Sequence, residues 1–297
     1  MSARILAICA HRLGVALLLS VLLLVFAASP DVTHAAARAK RARYPLPVQA
    51  ALLVNLSTGQ TLYEQRADSL IPPASLTKVM TMFLAYDAIR AKRLKENRLV
   101  TVPAHAAHTG GSTMHLRAGE RVGLTQLLTG MAVASGNDAA TTVAHVVNPN
   151  MKTFVRAMNQ KARELGMRAT TFVNPTGLPA KGQLTTARDM AKLATAYMKR
   201  HPQARRIHAT RHFLHNGTSF GNTNPLLGVV QGVDGLKTGF TAASGYNVII
   251  TATRGKTRLL IVILGGKTSA QRNDAARRLL EAGFKYPTSR KQLRQNM

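Results

Sequence analysis

GVDGLKTGFTAASGYNVIITATRGKTRLLIVILGG, residues 232–266, is the stretch on which the fold turns. It holds three runs rich in β-branched and apolar residues, at 233–240, 246–253 and 258–264, with turn residues at 242–245 and 254–256. Short runs bounded in this way predict three strands joined by hairpins. Upstream, 48–63 predicts another hairpin: the apolar run QAALLV, a turn at 55–59, then Gln60-Thr61-Leu62-Tyr63. Between these two ends the apolar spacing is helical. Strands at both ends of a helical middle predict an α+β domain, with the ends paired in one antiparallel sheet flanked by helices.

The helical middle has readable limits. Pro72 and Pro73 stop what precedes, and Val79, Met80, Met82, Phe83 and Tyr86 form a stripe on a helix starting near Ser75. The stretch 124–147 reads as helix, broken around Ser135-Gly136-Asn137. A helix over 152–165 is closed by Gly166. Another spans 185–198, with Thr185 or Thr186 as N-cap and Asp189 near its first turn. A closing helix is expected over 273–283. One domain, 48–287, is expected in all, followed by a basic tail at 288–297.

The N-terminus reads as an export signal over 1–36. Arg4, His11 and Arg12 precede an unbroken apolar run at 13–28, and Ala35, Ala36 and Ala37 supply small residues for cleavage. The run is short of the ~20 residues that a spanning helix prefers, which favours cleavage over anchoring. A basic, proline-containing linker follows at 37–47. The only cysteine is Cys9, inside the signal, so the mature chain has no disulfide and no cysteine-ligated metal. The expected location is the periplasm or the outer face of the cytoplasmic membrane of a bacterium.

Charge narrows the partners. The chain has 40 Lys and Arg against 12 Asp and Glu, a formal charge of +28. Such an excess attracts polyanions. An exported protein rarely meets nucleic acid, so none is expected as a partner. Electrostatic contact with an anionic envelope surface is expected instead, unless the charge is only a general surface property.

Three short motifs carry chemistry, in one order: Ser75-Leu76-Thr77-Lys78, Ser135-Gly136-Asn137 and Lys237-Thr238-Gly239. Ser75 stands at the first turn of a helix, where free N–H groups and the helix dipole favour an oxyanion. Lys78 is at i+3, on the same face. Serine needs an adjacent base to become a nucleophile, and lysine is a base only when burial or another cation lowers its pKa. Lys237 is a candidate for that second cation. Read alone, Ser75 is equally a helix cap beside a solvated lysine. Ser135 sits at a helix break where a hydroxyl can relay a proton, and the Asn137 amide can hold a carbonyl; alone this is also a plain Ser-Gly turn. Lys237 and Thr238 offer a charge and a hydroxyl to a carboxylate, and Gly239 allows close backbone approach at an edge strand. An S-x-x-K or an S-x-N alone occurs by chance roughly once in a few hundred residues. The order of the three motifs and their local contexts carry the weight. His105, His108 and His115 cluster, and His208, His212 and His215 have helical-face spacing, but neither group has the H-E-x-x-H pattern of a metal site. No metal or cofactor is expected.

Residues 48–286 resemble the low-molecular-mass penicillin-binding proteins, specifically the serine D-alanyl-D-alanine carboxypeptidases of the S11 peptidase type. The likeness rests on PPASLTKVMT at 72–81, TGGSTMHLRAGE with LLTGMAVASGNDAA within 109–140, NPTGLPAKGQLTTARDMAKLA at 174–194, and the stretch 232–266. It implies a β-lactamase/transpeptidase-like fold and peptidoglycan stem peptides ending in D-Ala-D-Ala as substrate. It implies Ser75 as nucleophile, Lys78 as base and Ser135 as the proton donor to the leaving D-alanine. Asn137 would position the peptide. Lys237, Thr238 and Arg272 would serve the terminal carboxylate, and the N–H groups of Ser75 and Phe240 would form the oxyanion hole. Gly239 would line the substrate strand. β-Lactams are expected to acylate Ser75.

Two departures bear on substrate preference. Asn222-Thr223-Asn224 stands where many relatives have Asn-Arg-Asn, and Leu184 where many have histidine. The stretch after Gly239 is expected to be too short for the second, β-rich domain and anchor of many relatives. A class A β-lactamase needs a carboxylate to activate water, and 167–188 contains no Asp or Glu. A D,D-endopeptidase and a non-catalytic basic wall- or polyanion-binding protein are the remaining alternatives.

Overall fold

The structure, a computed structural model, describes residues 46–297. The expected signal and most of the linker lie outside the described residues. The chain begins with a hairpin, β1 (Val48–Asn55) and β2 (Gln60–Gln65). A 3₁₀ turn, Ala74–Thr77, then runs into α1 (Lys78–Arg90). The middle of the chain holds β3 (Leu99–Thr101), α2 (Ala104–Ala107), β4 (Arg121–Gly123), α3 (Leu124–Val133), α4 (Asn137–Val147), α5 (Met151–Glu164) and α6 (Ala187–Arg200). A short helix α7 (Arg205–His208) and a hairpin, β5 (His212–His215) with β6 (Thr218–Gly221), lead to the long strands β7 (Val233–Thr241), β8 (Gly245–Arg254) and β9 (Thr257–Gly266). Helices α8 (Ser269–Lys285) and α9 (Arg290–Gln295) close the chain.

The main sheet has the order β2-β1-β9-β8-β7, all antiparallel. The N-terminal hairpin thus joins the C-terminal strands through the β1–β9 pair, as expected. Both faces of the sheet are covered, which is why its strands are nearly continuous apolar runs. Side chains alternate across a strand. On β9, Leu260, Val262 and Leu264 face the helical middle, while Leu259, Ile261 and Ile263 face α8. Helix α8 answers with Ala275, Ala276, Leu279 and Leu280, one face at helical spacing.

Helix α1 is buried on nearly every side, including Lys78, Thr81 and Tyr86, rather than along one stripe. An all-round apolar helix is a core helix, and α4, α5 and α6 surround it. The break expected at Ser135 is present: α3 ends at Val133 and α4 begins at Asn137. Thr186 caps α6, its hydroxyl accepting the Asp189 N–H at 3.1 Å.

One expectation needs correction. His212 and His215 lie on strand β5, not on a helix with His208, because the turn at Asn216 and Gly217, both at positive φ, makes a hairpin there. The basic closing residues are partly helical. Ser289 caps α9, Leu293 is fully buried, and Arg290 reaches Glu64 on β2 at 3.0 Å. Among the described residues no helix is long and apolar enough to cross a membrane.

Candidate active site

The three motifs converge beside β7, the edge strand of the sheet, where it packs on the Ala74–Thr77 turn. Lys78 Nζ is the hub. It lies 2.9 Å from Ser75 Oγ, within hydrogen-bonding distance, and donates to Asn137 Oδ1 at 2.6 Å and to the carbonyl of Thr176 at 2.7 Å. The side chain is fully buried. Burial first, and the charge of Lys237 second, push its pKa well below the usual lysine range, while Asp138 pulls the other way.

The turn that presents Ser75 is strained. Ala74 has φ +49° and Ser135 has φ +60°, the left-handed region that non-glycine residues rarely adopt. Each such residue costs about 1–3 kcal/mol and persists only when its surroundings over-determine it. Two glycines do so at Ala74. A Cβ on Gly177, itself at φ +84°, would stand 1.8 Å from the Ala74 carbonyl oxygen. A Cβ on Gly239 would stand 2.9 Å from Ser75 N. The bare face of Gly239 therefore receives the serine turn, and not only an incoming backbone as its sequence context suggested. The Ser75 N–H donates to no acceptor among the described residues.

Ser135 is buried in the α3–α4 break, but its hydroxyl is not hydrogen-bonded to Ser75 or Lys78. Asn137, two residues on, is tightly held. Its Oδ1 serves Lys78, and its Nδ2 donates to the Gly110 carbonyl at 2.6 Å. Its backbone N–H donates to the Ser112 carbonyl at 2.7 Å.

On β7, Lys237 is buried, and its Nζ donates to the Thr238 carbonyl at 2.9 Å. Burial, and then the charge of Arg272, lower its pKa to about 7. Arg272 is buried too; its Nε donates to Asn273 Oδ1 at 2.9 Å. Neither cation pairs with a carboxylate among the described residues. Two buried cations without a counter-ion make a site for an anion. Thr238 Oγ1 donates to Thr223 Oγ1 at 2.8 Å. Phe240 is 54 % exposed, its ring 4.4 Å from that of Tyr246, with Arg272 on the same tyrosine at 6.0 Å.

Sequence reasoning gives no role to Asp138 or Thr176, and marks Thr223 only as a departure that bears on substrate preference. Asp138 is buried, and its carboxylate takes the N–H groups of Met114, Leu116 and Ala139, pinning the 110–116 loop over the site. Thr176 supplies a carbonyl to Lys78 from a turn organised by Asn174, whose Oδ1 accepts the N–H groups of Thr176 and Gly177. Thr223 meets Thr238. The polar turn Asn174-Pro175-Thr176-Gly177 carries a local signal, but not its destination. The histidines form no joint site. His208 is buried, with Nδ1 on the Leu236 carbonyl at 2.9 Å and Nε2 at 3.1 Å from the Tyr197 hydroxyl.

The chain is similar to known proteins. The family model described as D-alanyl-D-alanine carboxypeptidase, Peptidase S11, matches residues 36–268. The chain is 34% identical over 277 residues to a D-alanyl-D-alanine carboxypeptidase of Bacillus subtilis, covering 92% of this chain and 71% of that one. It is 39% identical over 242 residues to one of Escherichia coli, covering 79% of this chain but only 60% of that relative's length. Among solved structures, penicillin-binding protein D2 of Listeria monocytogenes in its ampicillin-bound form superposes with a TM-score of 0.74 at 33% identity, over 80% of this chain and 98% of that one. A buried lysine on a strained serine turn, beside an edge strand bearing Lys-Thr-Gly, together with these likenesses, means that the chain belongs to the D-alanyl-D-alanine carboxypeptidase family of serine peptidases.

Proposed function

We propose that the protein is a serine-type D-alanyl-D-alanine carboxypeptidase that trims peptidoglycan stem peptides through an acyl-enzyme on Ser75. The hydrogen bonding of Lys78 carries this reading. A neutral lysine has two N–H groups and one lone pair. Asn137 Oδ1 and the Thr176 carbonyl can only accept. They take the two N–H groups and leave the lone pair directed at Ser75 Oγ. The lysine is thus held as a base at its nucleophile.

The reaction follows from that arrangement. Ser75 Oγ bonds to the carbonyl carbon of the penultimate D-alanine, and its proton passes to Lys78 Nζ. The N–H groups of Ser75 and Phe240 hold the oxyanion. As the tetrahedral centre collapses, the peptide C–N bond breaks, Ser135 gives its proton to the leaving amine and takes the one held on Lys78. Water then attacks the ester, giving a proton to Lys78, and the C–O bond to Ser75 breaks as that proton returns to Oγ. Lys237 and Arg272, with Thr238, bind the terminal carboxylate, and Asn137 positions the peptide along the edge of β7. Gly239 keeps the nucleophile's turn against that strand. A β-lactam presents the same carbonyl and carboxylate and acylates Ser75. The substrate places the enzyme outside the cytoplasm, in the periplasm or at the outer face of the cytoplasmic membrane, where the basic excess supports contact with an anionic envelope surface.

Release of D-alanine from a pentapeptide ending in D-Ala-D-Ala, assayed beside a cross-linked dimer, tests the reading. Faster turnover of the pentapeptide is expected. Cleavage of the dimer alone would make the protein an endopeptidase. Turnover of neither, with salt-sensitive binding to polyanions, would make it a binding protein.

A further inference from the structure

In the carboxypeptidase reading, the terminal carboxylate binds at Lys237, Thr238 and Arg272, and the scissile carbonyl lies at Ser75, against Gly239. An extended peptide laid on a free sheet edge follows the strand. The rest of the substrate therefore runs antiparallel to β7, past Phe240 toward Thr241. Residues of an extended chain advance about 3.3 Å each, which brings the third residue of the stem alongside Thr241, roughly 7 Å beyond Gly239. A cavity of about 330 Å³ opens there. One wall is the turn after β7, with Thr241 and Ala243; the other is the loop 177–183. Gly177 belongs both to this cavity and to the serine turn, since a Cβ on it would meet the Ala74 carbonyl. Cavity and nucleophile share a wall.

Both walls are held by their own hydrogen bonds. Ser244 Oγ accepts the Thr241 N–H at 3.2 Å, and the two hydroxyls are 2.8 Å apart. The Leu178 carbonyl accepts Asn174 Nδ2 and Gln183 Nε2, both at 2.9 Å. Gln183 Oε1 accepts the N–H groups of Val173 and Asn174. The Gln183 amide is thus spent on backbone. Among the described residues that line the cavity, only Lys181 is charged; it is exposed and has no ion pair among the described residues. The surface offered to a ligand is a small apolar wall from Leu178 to Ala180, ending in one free cation. The third residue of a stem peptide is a diamino acid. Its side chain ends in an ammonium alone, as in lysine, or in a second amino-acid centre that also bears a carboxylate, as in diaminopimelate. The methylene stem of either suits the apolar wall. The ends differ: Lys181 repels a lone ammonium and attracts a carboxylate.

We infer that this cavity is the subsite for the side chain of the third stem residue, and that Lys181 makes it select a side chain ending in a carboxylate. The inference rests on the carboxypeptidase reading and narrows its substrate class. It gives the loop 177–183 two duties: Gly177 supports the serine turn, and Lys181, four residues on, reads the peptide.

The test measures D-alanine release by wild type, Lys181→Gln and Lys181→Glu from three pentapeptides ending in D-Ala-D-Ala. Their third residue is diaminopimelate, diaminopimelate amidated at its side-chain carboxylate, or lysine. Wild type is expected to show a kcat/KM about 2- to 5-fold higher for the free-acid diaminopimelate peptide than for the other two, the size of one exposed ion pair. The difference should lie mainly in KM and shrink as salt is raised. Lys181→Gln should treat the three peptides about equally, and Lys181→Glu should reverse the order. Because each variant is compared with itself across peptides, a general loss of activity does not mimic the result. A wild type that treats the peptides alike or favours lysine, or a preference that survives in Lys181→Glu, would overturn the inference. Wild type that turns over none of the three and takes no penicillin label would instead overturn the carboxypeptidase reading, so the two failures are distinct.

Discussion

Gly239 lies against the Ser75 turn so closely that a single added carbon would stand 2.9 Å from Ser75 N and 3.2 Å from Ala74 Cβ. Strand and nucleophile are in contact because one residue has no side chain. Gly239→Ala is therefore expected to displace the serine more than it unfolds the protein. Acylation by penicillin should fall on the order of 100-fold, since misplacement of about 1 Å has that effect. Loss of stability should stay near 1–3 kcal/mol, as for modest overpacking. Stopped-flow acylation and thermal melts check both. Gly177→Ala, aimed at the Ala74 carbonyl from a positive φ, should be the more damaging of the two.

Lys78 must lose its proton to act, which arginine does not do. Lys78→Arg and Lys78→Gln are both expected to lower the acylation rate about 10²- to 10⁴-fold, the range for removing a general base. Circular dichroism should show both variants folded. Substantial activity in Lys78→Arg would show that the charge, not the lone pair, is used.

The pH profile should report two lysines of opposite need. Lys78 works neutral, and its pKa is depressed, so activity is lost as pH falls through that depressed value. Lys237 works charged, and its free-enzyme pKa is about 7. Carboxylate binding should then weaken as pH rises through about 7, mainly in kcat/KM. Lys237→Arg, which stays charged, is expected to remove that alkaline limb. An alkaline limb unchanged by the substitution would exclude Lys237 as its source.

Asp138 holds three main-chain N–H groups, and its charge raises the Lys78 pKa against the effects of burial and Lys237. Asp138→Asn keeps the shape but removes the charge and turns one acceptor into a donor. About 1–3 kcal/mol of stability should be lost, as for an unsatisfied buried group. Without the carboxylate, the Lys78 pKa falls further, so the acid limb should move to lower pH. Urea titration and a kcat/KM profile measure the two effects.

The sheet is legible in the sequence because residues such as Leu259 and Leu260 belong to strands packed on both faces, and the turns at 242–245 and 254–256 separate them. Ser75, Lys78 and Asn137 are legible as side chains at fixed spacings. The remaining parts of the site are not, because they act through backbone or across long separations. Thr176 reaches Lys78 with a carbonyl, which every residue has. Asp138 follows a recognised triplet, but its partners Met114 and Leu116 lie on a loop without regular period. Helix α9 is hidden because its one buried side chain, Leu293, sits among basic residues that read as solvated. His212 and His215 mislead in the other direction: spacings of four and three fit a helix, but the Asn-Gly turn that follows makes a hairpin.

Covalent labelling tests the central claim most directly. Wild-type protein, Ser75→Ala and Lys78→Gln are incubated with a fluorescent penicillin, and the labelled peptide is identified by mass spectrometry. One penicilloyl adduct on Ser75 is predicted in the wild type, none in Ser75→Ala, and much slower formation in Lys78→Gln. An unlabelled wild type, or a label that persists in Ser75→Ala, would contradict the account.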